Sequence, residues 1–335
     1  MDILNKNYYV KRYSKENEQE WDDFIFDSIN GTFLQSRRFL NYHPKDRFID
    51  DSLLIYDKKN HLSAICPACT IMNNNHKIFF SHKGSTFGGI IFNKMNYSVH
   101  KVIEIMEVIE EYLEKNSYKE VVLKITPDIF SKEKSELLQY VLYYLGYEDK
   151  KELSLYIDYG QYNDDIYKNL AQGKRTDINN CKKVGMKLKH LNSKDEIRMF
   201  YNILCENLQK YNAKPVHTIE ELIDFKNDRL KNEVEFWGIE YEAKIVAGAM
   251  LFLFNNINVM HTQYLCALNE YSKLSPMSFL YYELISMCKS QERTFLSWGG
   301  TTEDNGKYLN YGLAKSKEAF GSKYSINHVF TKSFS

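Results

Sequence analysis

The chain reads as an α/β protein of two tandem domains, each a mixed, mostly antiparallel sheet flanked by helices. Three observations predict this. The length of 335 residues suits two ordinary domains. The same series of hairpin, strand, helix, strand, helix and final strand occurs twice along the chain. Helices come singly between short strands rather than in a long run of parallel βαβ units. The boundary falls near 159–163, giving domains 1–159 and 160–335. No low-complexity linker separates them, which predicts tight packing and an interdomain cleft as the default ligand site.

In the first half, apolar runs at 53–56 and 64–71 flank the polar turn Asp57-Lys58-Lys59-Asn60, a hairpin signal. A strand follows at 77–81. Val102, Ile103, Ile105, Met106, Val108 and Ile109 then recur at helical spacing and predict a helix over 99–113. A buried strand at 121–125, a helix at 135–145 and a last strand at 153–158 complete the half. The second half repeats this. Strands at 235–240 and 245–254 flank Tyr241-Glu242-Ala243-Lys244, and a strand follows at 257–265. Pro276 opens a helix over 276–289, where its missing N–H costs nothing. A buried strand at 294–298, a helix at 308–320 and a strand at 324–331 follow. Gly146 and Gly321 stand just past the last periodic residue of their helices, the usual C-cap position.

Composition excludes several classes. Hydrophobic residues at 44% and charged residues at 26% are those of a soluble globular protein. Formal net charge is zero, so no global basic field attracts nucleic acid. The first 25 residues are charged and lack an apolar h-region, so no signal peptide is expected. No window reaches 18 uninterrupted apolar residues, so no membrane span is expected and a cytoplasmic location follows. Six scattered cysteines are no disulfide framework. Cys66-Pro67-Ala68-Cys69 lies in an expected strand, where cysteines three apart face opposite ways. That geometry suits neither a redox pair nor zinc, and no metal is expected. The 26 tyrosines and 20 phenylalanines suit stacking on sugars or nucleotides, but AT-rich codon bias produces the same excess.

Four segments carry a resemblance. Thr32-Phe33-Leu34-Gln35-Ser36-Arg37-Arg38-Phe39-Leu40 is similar to an "F-x-Q" entry segment. The run from Gly173-Lys174-Arg175 to Gly185 is similar to a "K-x-R-x-x-I-x-x-A-x-x-x-G" helix. Val246-Ala247-Gly248-Ala249 is similar to an "x-A-G" strand, and Ser316-Lys317-Glu318-Ala319-Phe320-Gly321 to "F-K-x-x-F-G". In this order they resemble the FemABX peptidyltransferases and their acyltransferase relatives of the GNAT-like superfamily. Cys181 stands where that family has alanine, and Ser316 where it has phenylalanine. No long helical arm of the kind carried by tRNA-using members is evident. The chain looks most similar to the acyltransferases of surface-polysaccharide and cell-envelope biosynthesis. The resemblance implies two tandem GNAT-like domains with an interdomain cleft. It also implies N-acyl transfer from acetyl-CoA or another acyl-CoA co-substrate to an amine of a sugar or nucleotide-sugar. Two alternatives stay open: an aminoacyl-tRNA-dependent peptidyltransferase acting on a peptidoglycan precursor, and a non-catalytic sugar-nucleotide-binding protein on the same fold.

Several residues are candidates for the site. His217, in Pro215-Val216-His217-Thr218, sits just outside a helix that Thr218 and Glu221 cap. It is either a proton acceptor held at a helix entry or an exposed neighbour of a plain cap. His261-Thr262-Gln263-Tyr264 interrupts an apolar strand. Alternation there puts His261 and Gln263 on one face and Thr262 and Tyr264 on the other. Either these groups form a satisfied core network, or they line an acceptor site. Glu303 sits at the tip of an apolar strand and is the second candidate base after His261; Asn310 follows in the same polar loop. In a GNAT-like domain the next strand–helix junction holds the coenzyme A pyrophosphate. Here Lys273, Ser275 and Ser278 occupy it without the family's glycines, and Glu270 opposes a phosphate. The segment Ser36–Arg47 is basic with interleaved aromatics. Arg37, Arg38 and His43 in it suit an acceptor diphosphate, though a solvated helix face has the same look. The loop Gly84–Gly89 is either a plain turn or a second phosphate cradle.

Overall fold

Proline and turn chemistry decide where several strands end. Residues 7–44, 47–74, 76–210 and 212–334 are described in the computed structural model. The chain divides into two units. The first holds the described residues up to Glu152, with Asp304–Gly306 and those from Ile326 on; the second holds Leu153–Glu303 and Lys307–Ser325.

The first unit runs β1 (Tyr8–Arg12), α1 (Glu18–Asp27), α2 (Arg37–Leu40), β2 (Ile49–Asp50), β3 (Leu53–Asp57), β4 (Leu62–Cys66), β5 (Cys69–Asn73), β6 (His76–Ser81), β7 (Ile91–Phe92), α3 (Val99–Lys115), β8 (Tyr118–Lys124) and α4 (Glu136–Tyr144). Strands β1, β3, β4 and β7 form one antiparallel sheet in that order. In another, β2 pairs with β5 and β5 with β6, antiparallel, while β6 pairs with β8 in parallel. The single strand expected over 64–71 is therefore two strands in two sheets. Pro67 lacks the N–H that a ladder needs and separates them. Cys66 and Cys69 on either side of the break are buried and free. Burial raises the Cys66 thiol and pushes the Cys69 thiol up to about 11, so neither is a ready nucleophile. Helix α3 buries Val102, Ile105, Met106 and Ile109 against Phe79, Val121, Leu123 and Leu142, as its spacing predicts.

The chain enters the second unit within β9 (Glu148–Asp158). There follow α5 (Ile166–Asn169), α6 (Gln172–Lys183), β10 (Lys187–His190), α7 (Lys194–Gln209), α8 (Ile219–Asp224), β11 (Val234–Tyr241), β12 (Lys244–Phe254), β13 (Val259–Ala267), α9 (Pro276–Ser290), β14 (Phe295–Gly300), β15 (Thr302–Glu303), β16 (Tyr308–Leu309), α10 (Tyr311–Glu318) and β17 (Lys323–Ser333). The sheet order is β10-β11-β12-β13-β14-β9, antiparallel except for the parallel pair β13–β14. The β11–β12 turn has φ of 48° at Glu242 and 60° at Ala243, the mirror-image turn that matches strand twist. From Ile326 on, β17 belongs to the first unit, where Val329–Ser333 pair antiparallel with β8. The second core gathers Leu251, Met260, Leu280, Leu284, Leu296 and Trp298.

The helix expected over 308–320 is shorter. Tyr308 and Leu309 pair with Glu303 and Thr302 as a small ladder. Asn310 then starts α10, its side-chain oxygen accepting from the Leu313 N–H at 3.0 Å. Among the described residues, no helix is long and apolar enough to cross a membrane.

Thr218 and Glu221 form the capping box read from the sequence, with both reciprocal bonds present. Thr218→Ala should therefore lower stability by about 1 kcal/mol in urea unfolding. An unchanged midpoint would mean that the box contributes nothing.

Candidate active site

Strand β13 positions two histidine clusters. Its pairing with β12 shifts between Met250 and Leu251, so that Met250 faces Tyr264 and Leu251 faces Thr262. The simple alternation expected across His261, Gln263 and Tyr264 is broken by this bulge, which re-aims the side chains beyond it. His261 is buried, with its Nδ1 3.0 Å from the Ser297 hydroxyl oxygen on β14. The Thr262 hydroxyl donates to the Ser297 carbonyl at 3.3 Å. Farther along β13, the Tyr264 hydroxyl lies 2.7 Å from Nδ1 of His217. His217 is itself buried, against the edge of Phe225. It is thus not the exposed neighbour of a cap. Burial pushes the Tyr264 phenol up to about 12.

The most unusual group is Lys317 on α10. It is 3% exposed and donates to the carbonyls of Gly299 at 3.0 Å and Gly300 at 2.9 Å. Gly299 has φ of 74°, a left-handed conformation that glycine adopts without strain and that turns the strand end. Burial lowers the Lys317 ammonium to about 7. The third ammonium N–H has no partner among the described residues, since two donors of three are used. The same surroundings act on His261. Burial first, and then the Lys317 charge, lower it to about 3. The expectation that His261 needs no large shift to work near neutral pH is therefore corrected: it stays neutral, but it is a weak proton acceptor.

Other expected site residues lie elsewhere. Glu303 is exposed on β15, and no hydrogen bond joins it to His261 or His217. The Asn310 side chain is engaged as the cap of α10. Gln263 is half-buried at the bulge. Lys273 is exposed, and Ser275 has φ of 56° at the start of α9. The Ser278 hydroxyl accepts from Lys174 Nζ at 2.9 Å and donates to Asp177 at 3.0 Å. With the Cys181 thiol bonded to the Leu274 carbonyl at 3.0 Å, this ties α6 to the start of α9.

In the first unit, Arg37 is not a free phosphate fork. It is 1% exposed, its Nη1 is 2.6 Å from Asp50, and its guanidinium lies 3.3 Å from the Tyr13 ring centre and 4.0 Å from that of Trp21. Its Nε and Nη2 find no hydrogen-bond partner among the described residues and rest on these aromatic faces instead. Arg38 is exposed. His43 stacks on Tyr42 with centroids 3.8 Å apart and lines a cavity of about 370 Å3 with Phe48, Asp50 and His82. Lys45 and Asp46 of the same basic segment lie outside the described residues.

In sequence, no family model and no curated protein matches the chain. In structure, it is similar to FemX, with a TM-score of 0.69 at 12% identity over 97% of each chain. It is similar to L-PGS from Bacillus licheniformis, with a TM-score of 0.61 at 12% identity over 95% of this chain and 91% of that one. A tandem GNAT protein from the clavulanic acid biosynthesis pathway gives 0.58 at 8% identity over 97% and 98%. The chain has the tandem GNAT fold. The FemABX-like architecture expected from the four motifs is present, with mixed sheets flanked by helices in both units.

Within this tandem GNAT fold, sequence reading passed over Ser297, Asp50 and His82, and named Lys317 only as the lysine of the "F-K-x-x-F-G"-like motif. Beyond that motif, Lys317 left a further signal in the helix pattern. It stands three residues after Ala314 and three before Phe320, both buried, so a lysine occupies the apolar stripe of a short helix.

The depressed Lys317 pKa has a consequence for stability. Between about 7 and the ordinary 10.5 of the unfolded chain, the unfolded state binds the proton and the native state does not. Stability from this group therefore rises with pH across that window and is lowest below it. Subtracting the unfolding free energy of Lys317→Met from that of the wild type should give a difference that climbs from pH 7 to pH 10. A flat difference would show that the ammonium is not desolvated.

Proposed function

We propose that this chain is an acyltransferase that moves an acyl group from an activated ester or thioester directly to an amine of a sugar or nucleotide-sugar. The amine lone pair forms the new C–N bond while the carbonyl π pair moves onto oxygen. Collapse of that oxyanion breaks the bond to the leaving thiolate or alkoxide oxygen, and the amine gives up its proton. The observation that carries the reading is the buried Lys317 ammonium, with two N–H groups fixed on glycine carbonyls and the third unspent. A donor held rigidly in a dry site stabilises a developing oxyanion without reorganisation. His217 takes the amine proton in the tautomer that donates from Nδ1 to the Tyr264 hydroxyl oxygen, which leaves Nε2 as the basic nitrogen. Neutral His261 positions Ser297 beneath the Gly299 turn, whose N–H donates to the Ser297 hydroxyl at 3.3 Å.

For the donor, the tandem GNAT likeness favours an acyl-CoA. One observation favours an aminoacyl ester carried on tRNA instead. The hydroxyl of Ser278, expected to face a pyrophosphate, is committed to Lys174 and Asp177, and α6 covers the start of α9. The likeness to FemX and L-PGS supports that second donor too. Binding assays separate the two. An acyl-CoA should raise Tm without marked salt dependence, whereas tRNA affinity should fall steeply with salt.

Lys317→Met should lower kcat by about 10²–10³-fold with little change in KM, the loss expected for one oxyanion donor. Relative to that variant, wild-type kcat should fall above pH 7, as the ammonium loses its proton. Full kcat in Lys317→Met would sink the assignment. A Lys317-dependent rise above pH 7 would make the amine a base rather than an oxyanion donor.

A further inference from the structure

The sequence holds the dipeptide Asn-Gly twice, at Asn30-Gly31 and at Asn305-Gly306. Asparagine is a thermolabile residue, because the backbone nitrogen that follows it can attack its side-chain carbon. A following glycine leaves that nitrogen unshielded. The structure treats the two pairs in opposite ways.

Asn30 is buried, and both ends of its amide are engaged. Its Nδ2 donates to the Ile90 carbonyl at 2.8 Å, and its Oδ1 accepts from the Phe92 N–H at 2.9 Å. The attacking group is tied down as well, since the Gly31 N–H donates to the Ser28 hydroxyl at 2.9 Å. Reaction at this pair has to wait until these bonds open inside a packed region. Asn305 is exposed, in the loop between β15 and β16. Among the described residues, neither its side chain nor the Gly306 N–H has a hydrogen-bond partner. No bond has to break before the nitrogen and the side-chain carbon meet.

The fold also imposes this pair. Asp304, Asn305 and Gly306 have φ of 48°, 52° and 88°. Asparagine and aspartate visit the left-handed region more readily than other residues that carry a Cβ. At 306 a Cβ would overlap the carbonyl oxygen of Lys151, which belongs to the same unit. The turn therefore keeps glycine at 306, and with it an open nitrogen beside Asn305.

We infer that Asn305 is a site of spontaneous deamidation in the folded protein, with water as co-reactant. The Gly306 nitrogen loses its proton and forms a bond to Asn305 Cγ. The bond from Cγ to Nδ2 breaks, and that nitrogen leaves as ammonia, giving a cyclic imide. Water then opens the ring. Cleavage between the Gly306 nitrogen and Cγ gives aspartate; cleavage between that nitrogen and the Asn305 backbone carbonyl carbon gives isoaspartate. Either product adds a carboxylate beside exposed Glu303 and Asp304 and takes the formal net charge of the chain below zero. Isoaspartate also lengthens the backbone of the hairpin that the Thr302–Leu309 and Glu303–Tyr308 pairs close. The inference goes beyond the transferase reading and does not rest on it.

To test it, the native full chain is held at mildly alkaline pH beside the same chain unfolded in guanidinium, and both are sampled until the unfolded chain has converted at both pairs. Peptide mapping by mass spectrometry reads each asparagine. In the native protein Asn305 should convert more than about tenfold faster than Asn30, whose reaction waits for local opening. An acidic species should build up in parallel on isoelectric focusing. Asn305→Gln, whose longer side chain cyclises far more slowly, should lose that species. No native conversion at Asn305, equal native rates at the two pairs, or an acidic species that persists in Asn305→Gln would overturn the inference.

Discussion

A buried ammonium needs oxygen around it, and in this fold that requirement ties the last helix to the end of β14. Lys317 reaches the carbonyls of Gly299 and Gly300 only because Gly299 adopts a left-handed turn at the end of β14. The helix carrying the lysine begins where Asn310 caps it. Its far end is held as well. The Trp298 indole donates to the Ser322 hydroxyl at 3.1 Å, and that hydroxyl donates to the Lys317 carbonyl at 2.7 Å. Ser297, between these anchors, then meets His261. A shift in any of them would leave a buried charge without partners, which is among the costliest defects a core can carry.

The two units treat a buried cation differently. In the first, Arg37 is closed in by Asp50 and two aromatic faces, and the charge is spent on structure. In the second, Lys317 has one donor left and a proton it holds only weakly near neutral pH. A group in that state is suited to chemistry, because its charge responds to what approaches it. Its neighbour His261 is kept neutral by the same burial and by the lysine itself. Charge at this strand end therefore resides on one residue.

Identities of 8–12% to FemX, L-PGS and a tandem GNAT protein establish architecture and leave chemistry to the site. The junction at the start of α9 makes the point. Its position in the fold suggests an anion site, yet Lys174, Asp177 and Cys181 of α6 occupy its polar groups. The same scaffold can thus keep a strand and helix in place while changing which of its polar atoms remain available.

Much of the scaffold was legible from residues close together in the chain. The stripe of Val102, Ile105, Met106 and Ile109 marked α3, and the Thr218–Glu221 box marked the start of α8. The four family-like motifs also pointed to the tandem GNAT fold. Local pattern failed where a neighbour distant in sequence decides the outcome. The pairing of β13 with β12 placed a bulge at Gln263 that broke the alternation, whereas the break at Pro67 between two sheets was a local signal that the apolar run had masked. Arg37 suited either a diphosphate or a solvated helix face, and Lys317 stood only as a motif position, until packing closed over both. By itself the sequence determined periodicity, caps and turns, because those depend on residues within a few positions of one another. Only the tertiary structure decided which charges are buried, which histidines stay neutral and which donors remain unspent, because desolvation is set by everything packed around a group.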